Sequence, residues 1–357
     1  MIVTGRSPDN RHHTDRIFVG LGRTRRKSPF NLFWKIHAFI IAHSPSRPPV
    51  SKHVILASME NLLAEIASLK KDRHAVILAH NYTGSDVQDI ADFTGDSLEL
   101  ARKAASVEAD VIVFCGVYFM AETAAILNPD KTVLIPDASA GCPMADMITG
   151  EQLRALKARH PGALAVCYVN STAEVKAECD ICVTSGNAER VMASLPPDRE
   201  ILFVPDQHLG THVSQKLGTR YTLWPGYCPI HAALTVGHLA AARAAHPGAP
   251  VLVHPECPQD VRACADACLS TGGMCAHVRT APEKTFIVGT ETGILHRLQI
   301  ENPDKTFHAA APLLCADMKK ITLEKVRDCL RDLTPVVTVA PDIAARAKRA
   351  IDAMLAL

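Results

Sequence analysis

From residue 74 onward, apolar runs of strand length alternate with stretches whose apolar positions recur every three or four residues. The runs are rich in Ala, Val, Ile and Leu, as strands covered by helices on both faces must be, so the pattern predicts parallel α/β units. Strands are expected at 75–79, 111–114, 132–135, 164–168, 181–184, 201–204, 251–254 and 286–288. Helices fit between most of them, for instance 86–93 behind a Ser85 cap. Ahead of the first strand, Met59 opens an amphipathic pattern with Leu62, Leu63, Ile66 and Leu69 on one face.

Three of these strands end in polar residues two apart: His80 and Tyr82, Tyr168 and Asn170, His254 and Glu256, at intervals of 88 and 86. Positions i and i+2 on a strand face the same way, so each offers a polar pair on one side of a sheet edge. Cys142, Cys228 and Cys315 follow at nearly the same beat, 86 and 87 apart. The segments 109–117, 179–187 and 265–273 also overlay as an acidic residue, a short strand, then Gly or hydroxyl residues, which sets Ser185 and Thr271 at strand-to-helix turns. The fold expected is α/β, with three similar α/β/α units holding small parallel sheets around a pseudo-threefold axis. The divisions expected are 59–150, 151–247 and 248–357, the last with the C-terminal helices, and the shared site lies at the centre. Strand ends in such units are where ligands bind, and helix N-termini seat anions.

Composition adds little to this and removes some alternatives. The chain has 357 residues, 48% apolar and 21% charged, which is ordinary for a folded protein with room for a large core. Its basic residues crowd the first 58 positions and leave a mildly acidic body, which gives no electrostatic reason to expect nucleic acid. The run Arg23, Arg25, Arg26, Lys27 precedes an apolar stretch at 30–41, but Asn31, Lys35 and His37 interrupt it and it is too short to span a bilayer. Residues 1–58 are expected to be a disordered extension or the product of a mis-assigned start, with Met59 as the natural one. Twelve cysteines in a chain this large imply reduced thiols rather than a disulfide framework.

The periodic cysteines lie in loop-like contexts beyond strands, where thiolates can converge on a metal. Cys182 and Cys268, also 86 apart, align with Ile112 in that overlay and read as buried structural thiols. Cys179-x-x-Cys182 lacks a second pair nearby, and Cys257, Cys264, Cys268 and Cys275 lack zinc or ferredoxin spacing. Glu256, at a strand end, is the candidate general acid or base, against the plainer reading of a helix-capping carboxylate. His80, His231 and His254 stand out among 17 histidines because they flank the periodic elements. Three functions remain open on these residues: a metal-dependent enzyme, a non-catalytic iron–sulfur or zinc redox sensor, and a metal-free lyase. The lyase would need a Schiff-base lysine at a strand end, and none of the three strands ends in one.

From Met59 onward the chain resembles the quinolinate synthase family, through "AHNY" (79–82), "GDSLELA" (95–101), "FMAETAAILNP" (119–129), "GCPMAD" (141–146), "YVNSTAEVKA" (168–177), "PDQHLG" (205–210), "HPEC" (254–257) and "VGTETG" (288–293). The resemblance implies one 4Fe-4S cluster on Cys142, Cys228 and Cys315, with one iron left open as a Lewis acid. It implies condensation of iminoaspartate with dihydroxyacetone phosphate to quinolinate, in cytoplasmic NAD biosynthesis. Phosphate and two waters are lost, and the enzyme that supplies iminoaspartate is a transient partner. By the same resemblance His80, Ser97, Tyr168, Val169, Asn170, Ser185, His231, His254, Pro255, Glu256 and Thr271 contact substrate or product. Tyr82 and Glu256, with His80, move protons. One departure is Leu269, where the family carries glycine before the hydroxyl pair Ser270 and Thr271.

Overall fold

The computed structural model describes residues 52–357. The expectation for the segment before residue 52 lies outside these. The helix expected from Met59 runs Lys52–Asp72, so Met59 sits inside it and does not open it.

Among the described residues, twelve strands form three four-stranded sheets, ordered β2-β1-β3-β4, β6-β5-β7-β8 and β10-β9-β11-β12. The first sheet holds β1 (Ala75–His80), β2 (Phe93–Gly95), β3 (Val111–Cys115) and β4 (Thr132–Leu134). The second holds β5 (Leu164–Tyr168), β6 (Ile181–Val183), β7 (Ile201–Val204) and β8 (Thr222–Leu223). The third holds β9 (Val251–Val253), β10 (Ala267–Cys268), β11 (Thr285–Gly289) and β12 (Thr306–Ala309). Every pairing within them is parallel, and the same order recurs three times. This is the α/β architecture of three similar units that the sequence pattern implied.

Alternate residues of each central strand feed two separate apolar layers. In the second sheet Ala165, Cys167, Leu202 and Val204 pack on one side, and Val166, Tyr168, Ile201 and Phe203 on the other. A strand buried on both faces has no polar period, which is why these runs are continuously apolar. The C-terminal helices, placed with the third unit by chain order, pack instead on the first two sheets. Leu323, Val326 and Leu330 join Ile77, Ala79 and Val113, while Ala347, Ile351 and Met354 join Ala165 and Cys167.

The register corrects the overlay made from sequence. Thr94, Cys182 and Cys268 lie opposite Ala79, Cys167 and Val253, so the first-unit counterpart of Cys182 and Cys268 is Thr94 in β2, and Ile112 belongs to β3. Segment 91–99, not 109–117, is therefore equivalent to 179–187 and 265–273. Asp92, Asp180 and Asp266 fix the equivalence, each carboxylate accepting from the first-strand amide of Ile77, Ala165 or Val251 at 2.8, 2.7 and 2.7 Å. The source of the error is local: the expected helix 86–93 ends at Ile90, and Phe93 opens a three-residue strand. At its start Gly84 holds the cap position and Ser85 is the first helical residue.

Candidate active site

Cys142, Cys228 and Cys315 sit on three loops secured in the same way. Two residues before each, a backbone carbonyl is tied to the segment that follows the third strand of its sheet. Tyr118 N–H donates to Ala140 O at 2.7 Å, Gln207 N–H to Gly226 O at 2.9 Å and Thr292 N–H to Leu313 O at 2.9 Å. Each cysteine then begins a single helical turn, its own carbonyl accepting from the amide of Asp146, Ala232 or Lys319 at 3.2, 2.9 and 3.2 Å. Inside that turn the amides two and three residues on face the sulfur and act to lower its pKa.

Such amides favour a thiolate, as at any helix N-terminus. Burial acts against it, pushing the Cys142 thiol up to about 12 and raising Cys228 and Cys315 as well. A bound metal reconciles the two, because a coordinating thiol is deprotonated outright. Cys142 shares one apolar cluster with Cys315 and another with Cys228, so the three thiols border one region between units. Among the described residues, the donor trio lying within 4.8 Å of one another is Cys228, His231 and Glu256, a set for a single ion. The three cysteines form a wider set, and their chemistry fits a thiolate-held metal cluster.

Beside the Cys228 loop runs a chain of hydrogen bonds joining all three units. The Tyr168 hydroxyl donates to Glu256 Oε1 at 2.5 Å, and Glu256 Oε2 lies 2.8 Å from His231 Nδ1. His231 Nε2 lies 2.7 Å from Thr290 Oγ1, which is 2.6 Å from the Tyr82 hydroxyl. His254 stacks on His231 with ring centroids 4.7 Å apart, and its Nε2 is 3.2 Å from Ser185 Oγ. His80 meets Tyr82 edge-on at 4.6 Å and takes the Tyr82 amide on Nδ1. His254 takes the Glu256 amide in the equivalent way.

Burial sets the protonation of this chain. It lowers His80 and His254 to about 3, which leaves both rings neutral at ordinary pH. Burial also raises the Tyr82 and Tyr168 hydroxyls, and the Glu256 charge raises them further, so both stay protonated donors. On Glu256 itself burial pushes upward, yet His231 beside it and the Tyr168 hydroxyl outweigh that and hold the carboxyl below its usual range. The neutral His254 ring is no counter-charge. The result is a buried carboxylate with one phenol and one imidazole on its two oxygens, able to take or pass a proton at either.

The hydroxyls lie next to helix N-termini where the units meet. Corrected by the register, Ser97, Ser185 and Thr271 are equivalent, and so are the preceding Asp96, Thr184 and Ser270. A Cβ on Gly186 would stand 3.3 Å from Ser270 Oγ and 3.6 Å from both Asp96 Oδ2 and Thr184 Oγ1, so the three units converge there. Asp96 caps Ser97–Ser106 through Leu98 and Glu99, and its second oxygen accepts from Gly272 N–H at 3.2 Å. Thr271 opens Thr271–Thr280 behind the Ser270 cap, and its hydroxyl accepts from Asn81 Nδ2 at 3.0 Å. Leu269 packs against the core cluster that holds Leu252 and Met274, and the Ser270 cap that follows it is intact. Asn170 Oδ1 is buried with no hydrogen-bond partner among the described residues.

The predicted residues Tyr82, Tyr168, Ser185, His231, His254 and Glu256 are thus brought together directly. Asn81 ties Thr271 to the loop that carries Tyr82. Ser97 and Val169 border one small cavity with Phe114 and Thr123, and the Pro255 carbonyl is held from behind by Arg262. Thr290, which joins Tyr82 to His231, was not singled out from sequence, although it lies inside the "VGTETG" motif. Glu291, buried and bonded to Lys319 and to the Cys315 amide, was missed in the same motif.

Known proteins resemble this chain over most of its length. A family model described as quinolinate synthetase A protein matches residues 64–356. The chain is 53% identical to a quinolinate synthase of Geobacter metallireducens over 84% of this chain and 98% of that protein. It is 55% identical to one of Methanoregula boonei, over 83% and 98%. Against one of Thermus thermophilus it is 51% identical, over 84% and 98%.

Proposed function

We propose that this chain, which belongs to the quinolinate synthetase A protein family, condenses iminoaspartate with dihydroxyacetone phosphate to quinolinate in NAD biosynthesis. The atoms balance as one quinolinate, one phosphate and two waters, with no net oxidation or reduction. The observation that carries the reading is the unbroken chain Tyr168–Glu256–His231–Thr290–Tyr82, whose middle member stands three residues beyond Cys228. Closing a pyridine ring by condensation and dehydration requires repeated proton transfers in a site that excludes water.

Cys142, Cys228 and Cys315 would hold a 4Fe-4S cluster, which when bound supplies a Lewis acid at the iron lacking a protein ligand. Glu256 takes protons from substrate carbon or nitrogen and returns them, while His231 and Thr290 connect it to Tyr82. The neutral His80 and His254 rings donate hydrogen bonds without adding charge. Ser97, Ser185 and Thr271, with the amides at the helix starts beside them, seat carboxylate and phosphate oxygens. Asn170 Oδ1 accepts from the substrate nitrogen or a hydroxyl. Both substrates are small anions, among the described residues no helix is long and apolar enough to cross a membrane, and the reaction belongs in the cytoplasm.

The test is anaerobic purification followed by assay. Brown protein with about four irons per chain that forms quinolinate from the two substrates supports the reading, and colourless protein that forms none contradicts it. A second reading, a zinc or iron–sulfur sensor, draws on the single-ion trio Cys228, His231 and Glu256. It leaves Tyr82, Thr290 and the orphaned Asn170 without a role, and one tightly held zinc per chain would favour it.

A further inference from the structure

Behind the three polar pairs lies a second set of equivalent residues, Gln88, Lys176 and Arg262, spaced 88 and 86 apart like the pairs themselves. Each sits on the short helix after the strand-end loop of its unit and is buried: Gln88 at 7%, Lys176 at 0% and Arg262 at 9% exposure. Each turns its nitrogen back onto the carbonyls flanking the site residue. Gln88 Nε2 donates to Asn81 O and Thr83 O, both at 3.1 Å, on either side of Tyr82. Lys176 Nζ donates to Ser171 O at 2.7 Å, next to Asn170. Arg262 Nη1 donates to Pro255 O at 3.0 Å and Cys257 O at 3.1 Å, on either side of Glu256.

The same three nitrogens also reach out of their own units. Gln88 Nε2 donates to Gly293 O at 3.0 Å, Lys176 Nζ to Phe119 O at 3.3 Å and Arg262 Nη1 to His208 O at 2.6 Å. These acceptors are equivalent too, each four residues beyond the end of β11, β3 or β7. The first unit therefore grips the third, the second grips the first, and the third grips the second, closing a ring.

Packing does not explain this set. An amide, an ammonium and a guanidinium differ in shape and charge, and the two cations are costly to bury, whereas an apolar side chain would fill the space at less cost. What the three positions share is an N–H donor at one point, between a site loop and the neighbouring unit. We propose that Gln88, Lys176 and Arg262 are positioning residues that aim Tyr82, Asn170 and Glu256 into the common site and lock each loop to the adjacent unit. The inference rests on the reaction proposed above only in treating those three residues as its machinery.

The test uses anaerobically prepared Arg262→Met, Arg262→Lys and Arg262→Gln, the last two carrying the donors that the other units use. Turnover and amide hydrogen exchange are both measured. Arg262→Met is expected to keep its iron, lose at least 10-fold in kcat with KM changed less than 3-fold, and exchange at least 10-fold faster in the peptide spanning 254–258. Arg262→Lys and Arg262→Gln are expected within about 3-fold of wild type in both. Wild-type kcat and exchange in Arg262→Met would overturn the inference. Should Arg262→Met fail to fold, a folded Arg262→Gln with near-native kcat and exchange supports it, and one with both perturbed 10-fold overturns it. Wild-type protein that makes no quinolinate refutes the proposed reaction instead, and the exchange measurements then decide the clamp alone.

Discussion

His231 and Glu256 meet through a 2.8 Å contact between Nδ1 and Oε2, with both side chains almost wholly buried. His231 stands three residues after Cys228 on the turn that the cysteine opens, and Glu256 stands just beyond the end of β9. The pair therefore couples the Cys228 loop of the second unit to the end of β9 in the third. A displacement of either element would be felt at the other.

The assignment of the cluster ligands predicts a clean division among the cysteines. Replacing Cys142, Cys228 or Cys315 with Ala should abolish iron binding, whereas Cys182→Ala and Cys268→Ala should keep the full complement. Iron and sulfide analysis of anaerobic protein checks this. Four irons retained in Cys228→Ala would show that the sulfur turns serve another purpose.

Thr290 offers a test of the hydrogen-bonded chain that leaves the metal alone. Thr290→Val keeps the shape but removes the hydroxyl between Tyr82 and His231. Quinolinate formation should fall about 10-fold or more, short of the roughly 10²-fold expected for removing a positioned acid or base outright. Unchanged kcat would mean that Tyr82 and His231 act separately.

Stability should depend on acid through the buried rings. His80 and His254 have pKa values near 3 in the fold against 6.5 when exposed. The unfolded chain therefore binds more protons between these values, and stability present above about pH 6.5 is lost as pH falls toward 3. Each ring contributes a slope of about 1.4 kcal/mol per pH unit within that window. Denaturant unfolding at several pH values should show a shallower dependence, by about one proton, in His80→Gln. An identical slope would place the His80 proton elsewhere.

Much of this was legible before the structure, for reasons that differ by element. β5 and β7 were read with their ends in place because strands buried on both faces are unbroken apolar runs. The edge strands β2, β8, β10 and β12 were not, being two to four residues long and partly exposed. Losing β2 misplaced the first-unit overlay, so Ser97 was linked to Ser185 and Thr271 only through family resemblance, although the spacings of 88 and 86 carry it. Spacing did find the polar pairs and the cysteines. It could not find Thr290, whose role arises where two units meet, nor the donors behind the loops, whose three side chains share a function but no chemical type.

On the proposed reaction, Glu256 moves protons without ligating the cluster. The most direct measurement is quinolinate formation by anaerobic Glu256→Gln beside its iron content and visible spectrum. Four irons, a wild-type spectrum and turnover lowered at least about 10²-fold are expected, the usual scale for removing a positioned acid or base. Near-normal turnover, or loss of the cluster together with activity, would contradict it.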